Sequence, residues 1–205
     1  LLEKITKNGY LISNIYLEFD EQGKIKDNFK FEGFVKDGRV SILKKHNIEK
    51  IDFIFKVSKN DYQFKDIDLS WNKTPFKSQE IRIKKIKNDY IIEGTFENEN
   101  VKIDRKSINN FFKSFLIKYQ IENLNLSSKN NFLIKLNKKY QIIDFKLSSN
   151  LRLNNLYLKN NLKLDEFFPN LRKIIELRDH SINIKYDKKK FSIKGSGYIS
   201  LQEKE

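Results

Sequence analysis

Hydrophobic and polar residues alternate with a period of two along most of the chain. Such alternation is typical of β-strands with one dry and one wet face, which belong to antiparallel sheets rather than to buried parallel ones. The many β-branched and aromatic residues favour the same structure. Apolar positions of these runs include Ile15, Leu17, Phe19, Phe29, Phe31, Ile51, Phe53, Phe55, Val57, Ile67, Leu69, Trp71, Ile81, Ile83, Phe132, Ile134, Ile143, Phe145, Leu147, Ile182, Ile184, Phe191 and Ile193.

Short turn signals separate these runs and predict a meander of hairpins over residues 10–103. The predicted turns are Glu21-Gln22-Gly23-Lys24, Lys36-Asp37-Gly38-Arg39, Lys59-Asn60-Asp61 and Lys87-Asn88-Asp89. Lys188-Lys189 predicts the last turn. We also expect a bulge at Leu153-Asn154-Asn155-Leu156, where the alternation is offset.

Two stretches have helical rather than strand spacing. Ser107 is a candidate N-cap for a helix at about 107–117, whose apolar stripe begins at Ile108. A second amphipathic helix is predicted from Asp165 to about Leu177. We expect both stripes to pack on the sheet. The chain is expected to form one continuous β-rich domain over 1–205, a fragment of a longer protein, with possible sub-units at 9–104 and 118–201 joined by the first helix.

Three predicted strands share one short pattern, which reads apolar, any residue, apolar, charged, glycine. It occurs as Phe29-Lys30-Phe31-Glu32-Gly33, Tyr90-Ile91-Ile92-Glu93-Gly94 and Phe191-Ser192-Ile193-Lys194-Gly195. A glycine inside a strand indicates a bend, a bulge or a close backbone approach. The repeat therefore predicts recurring curvature in one continuous sheet.

The predicted strands carry more dry surface than two short helices can cover. About a dozen strands each have an apolar stripe, which leaves three arrangements: a β-sandwich, a closed barrel, or an open sheet curled into a groove. An apolar groove needs a ligand or a partner in water. Its expected lining residues are Ile51, Phe53, Phe55, Val57, Ile67, Leu69, Ile81 and Ile83. Trp71 is interpreted as a core residue, with groove lining as the alternative.

Composition adds a strong positive charge, but the charge does not cluster. The 41 lysines and arginines against 27 acids give +14, which by itself favours nucleic acid or anionic lipid as a partner. Acids are interspersed among the lysines, and the chain is rich in Lys, Asn, Ile and Phe, as an AT-rich genome would produce. Nucleic-acid binding is therefore not the expected function; single-stranded nucleic acid on a basic, aromatic β-platform is kept as a third hypothesis.

Chemistry-bearing motifs are missing from the sequence. The chain has no Cys and only His46 and His180, which excludes disulfides, thiolate metal sites and a His-rich metal cluster. Phosphate-binding loops and hydrolase signatures do not occur. The acidic pairs Glu97 with Glu99 and Asp165 with Glu166 fall at predicted turns or helix starts. We therefore expect no enzyme activity, no catalytic residue, no metal and no cofactor.

The meander resembles the AsmA-like superfamily, especially large bacterial envelope proteins of the YhdP and TamB type. The resemblance rests on Phe31-Glu32-Gly33-Phe34, Ile92-Glu93-Gly94-Thr95-Phe96 and the strand Phe191 to Ile199, and it spans about residues 10–200. It implies an open, taco-like β-groove that carries phospholipid acyl chains between membranes or maintains the outer membrane. It also implies a location on the periplasmic face of the cell envelope, with an inner-membrane anchor outside this fragment. The alternative is a β-sandwich or barrel acting as a protein-binding scaffold without a ligand.

Overall fold

Ten antiparallel strands form one meandering sheet. The computed structural model describes residues 6–42, 46–71, 74–104, 120–159 and 171–203. The strands are β1 (Thr6–Tyr16), β2 (Lys30–Ile42), β3 (His46–Ser58), β4 (Asp61–Trp71), β5 (Thr74–Ile86), β6 (Asp89–Asp104), β7 (Gln120–Leu136), β8 (Ile142–Lys159), β9 (Leu171–Asp187) and β10 (Lys190–Glu203). They are hydrogen-bonded in chain order from β1 to β10, and the sheet is not closed into a barrel. The antiparallel meander predicted from the alternation is thus confirmed, and the barrel alternative is wrong.

Neither predicted helix is found among the described residues. Residues 107–117 lie outside the described residues, as do 165–170. Residues 171–177 of the second predicted helix form the first part of β9, so that part of the prediction is wrong. Strand pairing supplies hydrogen bonds that a local helical spacing does not reveal, and such tertiary context overrides propensity. The described residues contain no helix.

Most predicted turns are found where the sequence placed them. β3 and β4 are joined at Lys59-Asn60, β5 and β6 at Lys87-Asn88, and β9 and β10 at Lys188-Lys189. Between β1 and β2 the Asp20 carboxylate accepts hydrogen bonds from the backbone N–H groups of Gln22 and Lys24, both at 2.9 Å. This bonding closes the turn that the glycine at 23 had indicated.

The turn predicted at Lys36-Asp37-Gly38-Arg39 is wrong, because those residues lie inside β2. Asp37 has a φ of 51°, and the register with β3 shifts between Val35 and Gly38. The Asp52 carboxylate of β3 accepts a hydrogen bond from the Asp37 N–H at 2.8 Å. It also forms an ion pair with the Lys36 ammonium group. The same Asp–Gly chemistry that closes hairpins therefore forms a bulge here.

Similar irregularities recur in the next two strands. Lys50 in β3 and Asp66 in β4 have φ values of 53° and 50°, and the β3–β4 register shifts on both sides of Asp52. A bulge adds one residue to a strand, so the side chains beyond it change faces. Ile67, three residues after Phe64, is thereby returned to the face that carries Phe64.

The chain divides into two compact units, which are described separately. Unit 1 comprises Leu1–Glu97, Asn130–Ser148 and Tyr186–Lys190; unit 2 comprises Asn98–Lys129, Ser149–Lys185 and Phe191–Glu205. Among the described residues, the buried apolar side chains are Ile67 in unit 1 and Val101, Leu153 and Leu156 in unit 2. Leu153 and Leu156 are both buried although three residues apart, as the predicted offset in β8 requires.

Two of the three patterned glycines are places of close backbone approach. A Cβ on Gly33 would lie 2.0 Å from the Ile12 carbonyl oxygen, and one on Gly94 would lie 2.8 Å from the Glu80 carbonyl oxygen. A Cβ on Gly195 would find its nearest atom, the Ser181 carbonyl oxygen, at 3.2 Å. The pattern therefore indicates tight strand contact, most strongly in unit 1.

Candidate functional site

Rows of paired residues across β2–β6 separate a dry face of unit 1 from a wet one. Directly opposed residues of antiparallel strands point to the same face. One row reads Gly33, Phe55, Phe64, Ile81 and Gly94. The adjacent row reads Glu32, Lys56, Gln63, Arg82 and Glu93. The first row begins and ends with glycine and has large apolar side chains between, whereas the second is wholly polar.

Ion pairs connect residues of the polar row with one another and with their neighbours. Arg82 donates two hydrogen bonds to the Asp61 carboxylate, at 2.8 and 2.5 Å. These bonds hold the pKa of Asp61 below its ordinary value and raise that of Arg82. Lys56 lies 3.8 Å from Glu32, and Lys84 lies 3.4 Å from Glu93. Because charged groups favour water, this face is the outer one.

On the dry face, four aromatic rings follow one another across four strands. The centroid of Trp71 lies 6.2 Å from that of Phe76, and Phe76 lies 6.4 Å from Phe96 in an edge-to-face arrangement. Phe96 stacks on Phe132 with centroids 5.5 Å apart. We call these four residues the aromatic ladder. Pairs in such geometries contribute about 0.5–1.5 kcal/mol beyond their buried area.

The aromatic ladder forms one wall of a cavity of about 420 Å³ in unit 1. The lining residues are Ile48, Leu69, Trp71, Phe76, Phe96, Asn130, Phe132, Ile134, Phe145 and Leu147. All but Asn130 are apolar. The Asn130 amide donates a hydrogen bond to the Phe96 carbonyl oxygen at 3.0 Å, so this polar group already has a protein partner.

The cavity requires that the sheet curl within unit 1. Its lining extends from Ile48 on β3 to Phe145 and Leu147 on β8. In a flat sheet, strands five positions apart would be separated by about 24 Å. A cavity of this size touches both only if the intervening strands curve around it. The bulges in β2, β3 and β4 supply the local bending and twist that such curvature needs.

The dry face of unit 1 is not sealed. Every apolar residue of the cavity lining is partly exposed, and Ile67 is the one apolar side chain buried among the described residues of this unit. Contiguous apolar surface of this kind, where it is open to water, marks a place for a ligand or a partner.

The predicted groove residues occupy this dry face, but most lie beside the cavity. Phe55 and Ile81 share one row, Val57 and Ile83 share another, and the Phe53 ring lies 5.6 Å from Phe64. Ile51 stands opposite Gly38, and Ile67 is buried opposite Ser78. Of the eight predicted residues, Leu69 is the one that lines the cavity.

The sequence pattern does not show which strands meet around the cavity. Phe132, Ile134, Phe145 and Leu147 alternate clearly and were predicted as strand positions, yet nothing in the pattern places them against Leu69. Trp71, interpreted as a core residue, lies partly exposed in the cavity wall. Phe76 and Phe96 complete this part of the cavity wall, and their aromatic character was the sequence signal that could have indicated them.

The described residues show no group of three or more His, Asp or Glu side chains that could hold a metal ion. Within the same residues, no helix is long and apolar enough to cross a membrane. The site thus defined is an apolar cavity on one face of an open antiparallel sheet.

Comparisons of the chain with protein-family models, with curated proteins and with solved structures find no significant match. The resemblance to the AsmA-like superfamily therefore stays a prediction based on the strand and glycine pattern.

Proposed function

We propose that unit 1 holds a long apolar chain, such as the acyl chain of a phospholipid, against the aromatic ladder. The observation that carries this proposal is the open, almost wholly apolar cavity lined from β3 to β8. Each methylene moved from water into such a site gains about 0.8 kcal/mol. Binding of this kind depends on apolar length and tolerates variation in the chain.

The chemistry of the wall favours a ligand without a fixed polar pattern. Asn130 is the single polar lining residue, and its amide is engaged by the Phe96 carbonyl. Aromatic and branched aliphatic side chains offer contact area without directional bonds. The eight predicted residues from Ile51 to Ile83 extend the same dry face, where a longer chain would find further contact.

The wider role that we propose is that of a segment of a bacterial envelope protein. In that role the chain lies on the periplasmic face, anchored to the inner membrane by a segment outside these residues, and holds phospholipid during transport between membranes or outer-membrane maintenance. The strand and glycine resemblance supports this role. Nucleic acid is not a proposed partner.

Trp71 provides a direct test, because it is the one tryptophan in the chain and lies in the cavity wall. Bromine quenches indole fluorescence at contact distance. We expect 9,10-dibromostearate to quench Trp71 saturably, whereas unbrominated stearate should compete and restore the emission. Quenching that rises linearly without saturation, or that stearate does not reverse, would contradict the proposal.

A matched pair of variants locates the binding. Leu69→Asp places a charge in the cavity wall and should weaken dibromostearate binding at least tenfold. Ile54→Asp places the same charge on the opposite face of β3, where Ile54 is 51% exposed, and should leave binding unchanged. Far-UV circular dichroism checks that both variants keep the sheet.

Photo-crosslinking tests the role in cells. A photoreactive residue at Phe55, on the dry face beside the cavity, should label phospholipid. Labelling of protein alone would instead favour the scaffold hypothesis.

A further inference from the structure

Three neighbouring hairpin turns of unit 1 bring lysines together at one end of the sheet. These turns join β5 to β6, β7 to β8 and β9 to β10, and an antiparallel meander places them at the same end. Residues 85–90, 137–143 and 186–190 contain seven lysines and two acids. The lysines, all of them exposed, are Lys85, Lys87, Lys138, Lys139, Lys188, Lys189 and Lys190. We call this surface the basic end.

Contacts between the hairpins show that the three turns are neighbours. The Tyr90 ring of the first hairpin stacks on the Tyr140 ring of the second, with centroids 5.4 Å apart. Between the second and third hairpins, the Lys146 ammonium group lies 3.2 Å from the Asp187 carboxylate. The fold therefore collects lysines that are dispersed along the sequence into one continuous surface.

The positive charge of the basic end has little compensation from within the protein. Asp187, one of its two acids, is already paired with Lys146 of β8. Within the part of the chain that the structure describes, none of the seven lysines forms an ion pair. Lys85 instead lies over the Tyr90 ring, with its ammonium nitrogen 5.9 Å from the centroid. An uncompensated positive surface favours an anionic partner.

Apolar side chains stand exposed among these lysines. Tyr140 and Ile142, in and beside the β7–β8 turn, are 69% and 66% exposed, and Ile86 and Ile143 are also exposed. Tyrosine and aliphatic side chains favour the headgroup region of a bilayer, where neighbouring lysines meet lipid phosphates. Nucleic acid would engage the lysines and tyrosines but would leave the isoleucines in water. The combination therefore favours a lipid surface.

The dry face of unit 1 extends from the cavity to the basic end. Alternation along β8 places Ile143, Phe145 and Leu147 on one face. Phe145 and Leu147 line the cavity, whereas Ile143 lies one residue after the start of the strand, beside the turn. Apolar side chains thus connect the cavity with the surface that carries the lysines.

We propose that the basic end docks unit 1 on the surface of an anionic lipid bilayer. The lysines bind lipid phosphates, and Tyr140 and Ile142 enter the headgroup region. Docking goes beyond the acyl-chain site, because it needs the turns and not the cavity, and the two proposals can fail separately.

Vesicle flotation of the full chain tests docking. Vesicles of phosphatidylglycerol and phosphatidylcholine in equal parts should bind the chain at least about tenfold more tightly than phosphatidylcholine alone. The double variant Lys138→Gln, Lys139→Gln should weaken binding to the anionic vesicles at least about tenfold. The matched control Lys65→Gln, Lys77→Gln removes the same charge from exposed positions of β4 and β5 away from the basic end. This control should bind like the original chain.

A single dye can report which residues enter the lipid, because the chain has no cysteine. A nitrobenzoxadiazole dye on Ile142→Cys should brighten when anionic vesicles are added. The same dye on Ile54→Cys, on an inner strand, should not respond. Both isoleucines are more than half exposed, so the labelled variants should keep the fold.

Four results would each overturn the proposal: no preference for anionic vesicles, equal losses in the two lysine variants, a silent dye at position 142, or tighter binding of single-stranded DNA than of anionic vesicles. The last result would assign the basic end to nucleic acid. Leu69→Asp, which places a charge in the cavity wall, should float like the original chain, and its failure to float would contradict docking through the turns. Failure of dibromostearate quenching with flotation intact would count against the acyl-chain site alone.

Discussion

The two compact units differ in the chemical groups that make contacts between their strands. On the dry face of unit 1 the contacts between strands include a run of aromatic rings, the aromatic ladder from Trp71 to Phe132. In unit 2 they include hydroxyl, amide and carboxylate groups, with Ser128, Ser149 and Glu176 buried. Both units nevertheless belong to one sheet of the same antiparallel type.

Side-chain hydrogen bonds link β6 of unit 2 both to its neighbour β7 and to β8, the strand beyond it. The Ser128 hydroxyl donates to the Asn98 amide oxygen at 2.8 Å, and the Asn100 N–H donates to the Ser127 hydroxyl at 3.0 Å. The Asn154 amide donates to the Asn100 side-chain oxygen at 3.1 Å. These bonds require a particular alignment of β6, β7 and β8.

A buried acid in unit 2 has its own partners. The Glu176 carboxylate accepts hydrogen bonds from the Tyr157 hydroxyl at 3.0 Å and from Arg178 at 2.6 Å. Arg178 lowers the pKa of Glu176, while Glu176 raises the pKa of Tyr157. The difference between the units teaches that hydrogen-bonded contacts specify register, whereas ring contacts leave an apolar wall that accepts other apolar groups.

The sharpest contrast between the units is expected at the patterned glycines. Gly33→Ala in unit 1 should destabilise the fold by about 2–3 kcal/mol, because its Cβ would collide with the Ile12 carbonyl. Gly195→Ala in unit 2 should cost less than about 1 kcal/mol, because its nearest contact is at 3.2 Å. Urea denaturation measures both. Equal losses would show that the glycines serve backbone flexibility rather than close approach.

A smaller contrast is expected between two buried serines. Ser128→Ala in unit 2 should cost about 1 kcal/mol, since it removes the bond to Asn98. Ser78→Ala in unit 1 should be neutral or slightly stabilising, because the Ser78 hydroxyl is buried without a hydrogen-bond partner among the described residues. The same urea titrations check this pair, and a comparable loss at Ser78 would reveal a partner in unit 1.

The smallest expected effect is a pH dependence in unit 2. Because the pKa of Glu176 is lower when folded, its stabilising contribution is present above the unfolded value of about 4.5 and is lost as pH falls through the folded pKa. Glu176→Gln should therefore be less stable than the original chain at pH 7, with the gap narrowing in acid. A gap that is constant between pH 7 and pH 3 would contradict this assignment.

Much of the fold could be predicted because its signals are local. Alternation places Ile51, Phe53, Phe55, Val57, Ile81 and Ile83 on one predicted dry face. The residues of the turns at 59–60, 87–88 and 188–189 favour reversal of the chain. Where a local signal has two outcomes, the prediction fails. Lys36-Asp37-Gly38-Arg39 fits a hairpin or a bulge, and Leu171–Leu177 fits a helical stripe or a strand.

The sequence by itself therefore determined the antiparallel meander, the alternation of wet and dry positions within each uninterrupted run and the excess of apolar surface. The tertiary structure alone decided which strands meet around the cavity, because curvature brings Ile48 of β3 near Phe145 of β8 although nothing in either strand refers to the other. It also decided where the faces switch, at the bulges of Asp37, Lys50 and Asp66. A period of two is a property of one strand, whereas curvature and register arise from the pairing of many.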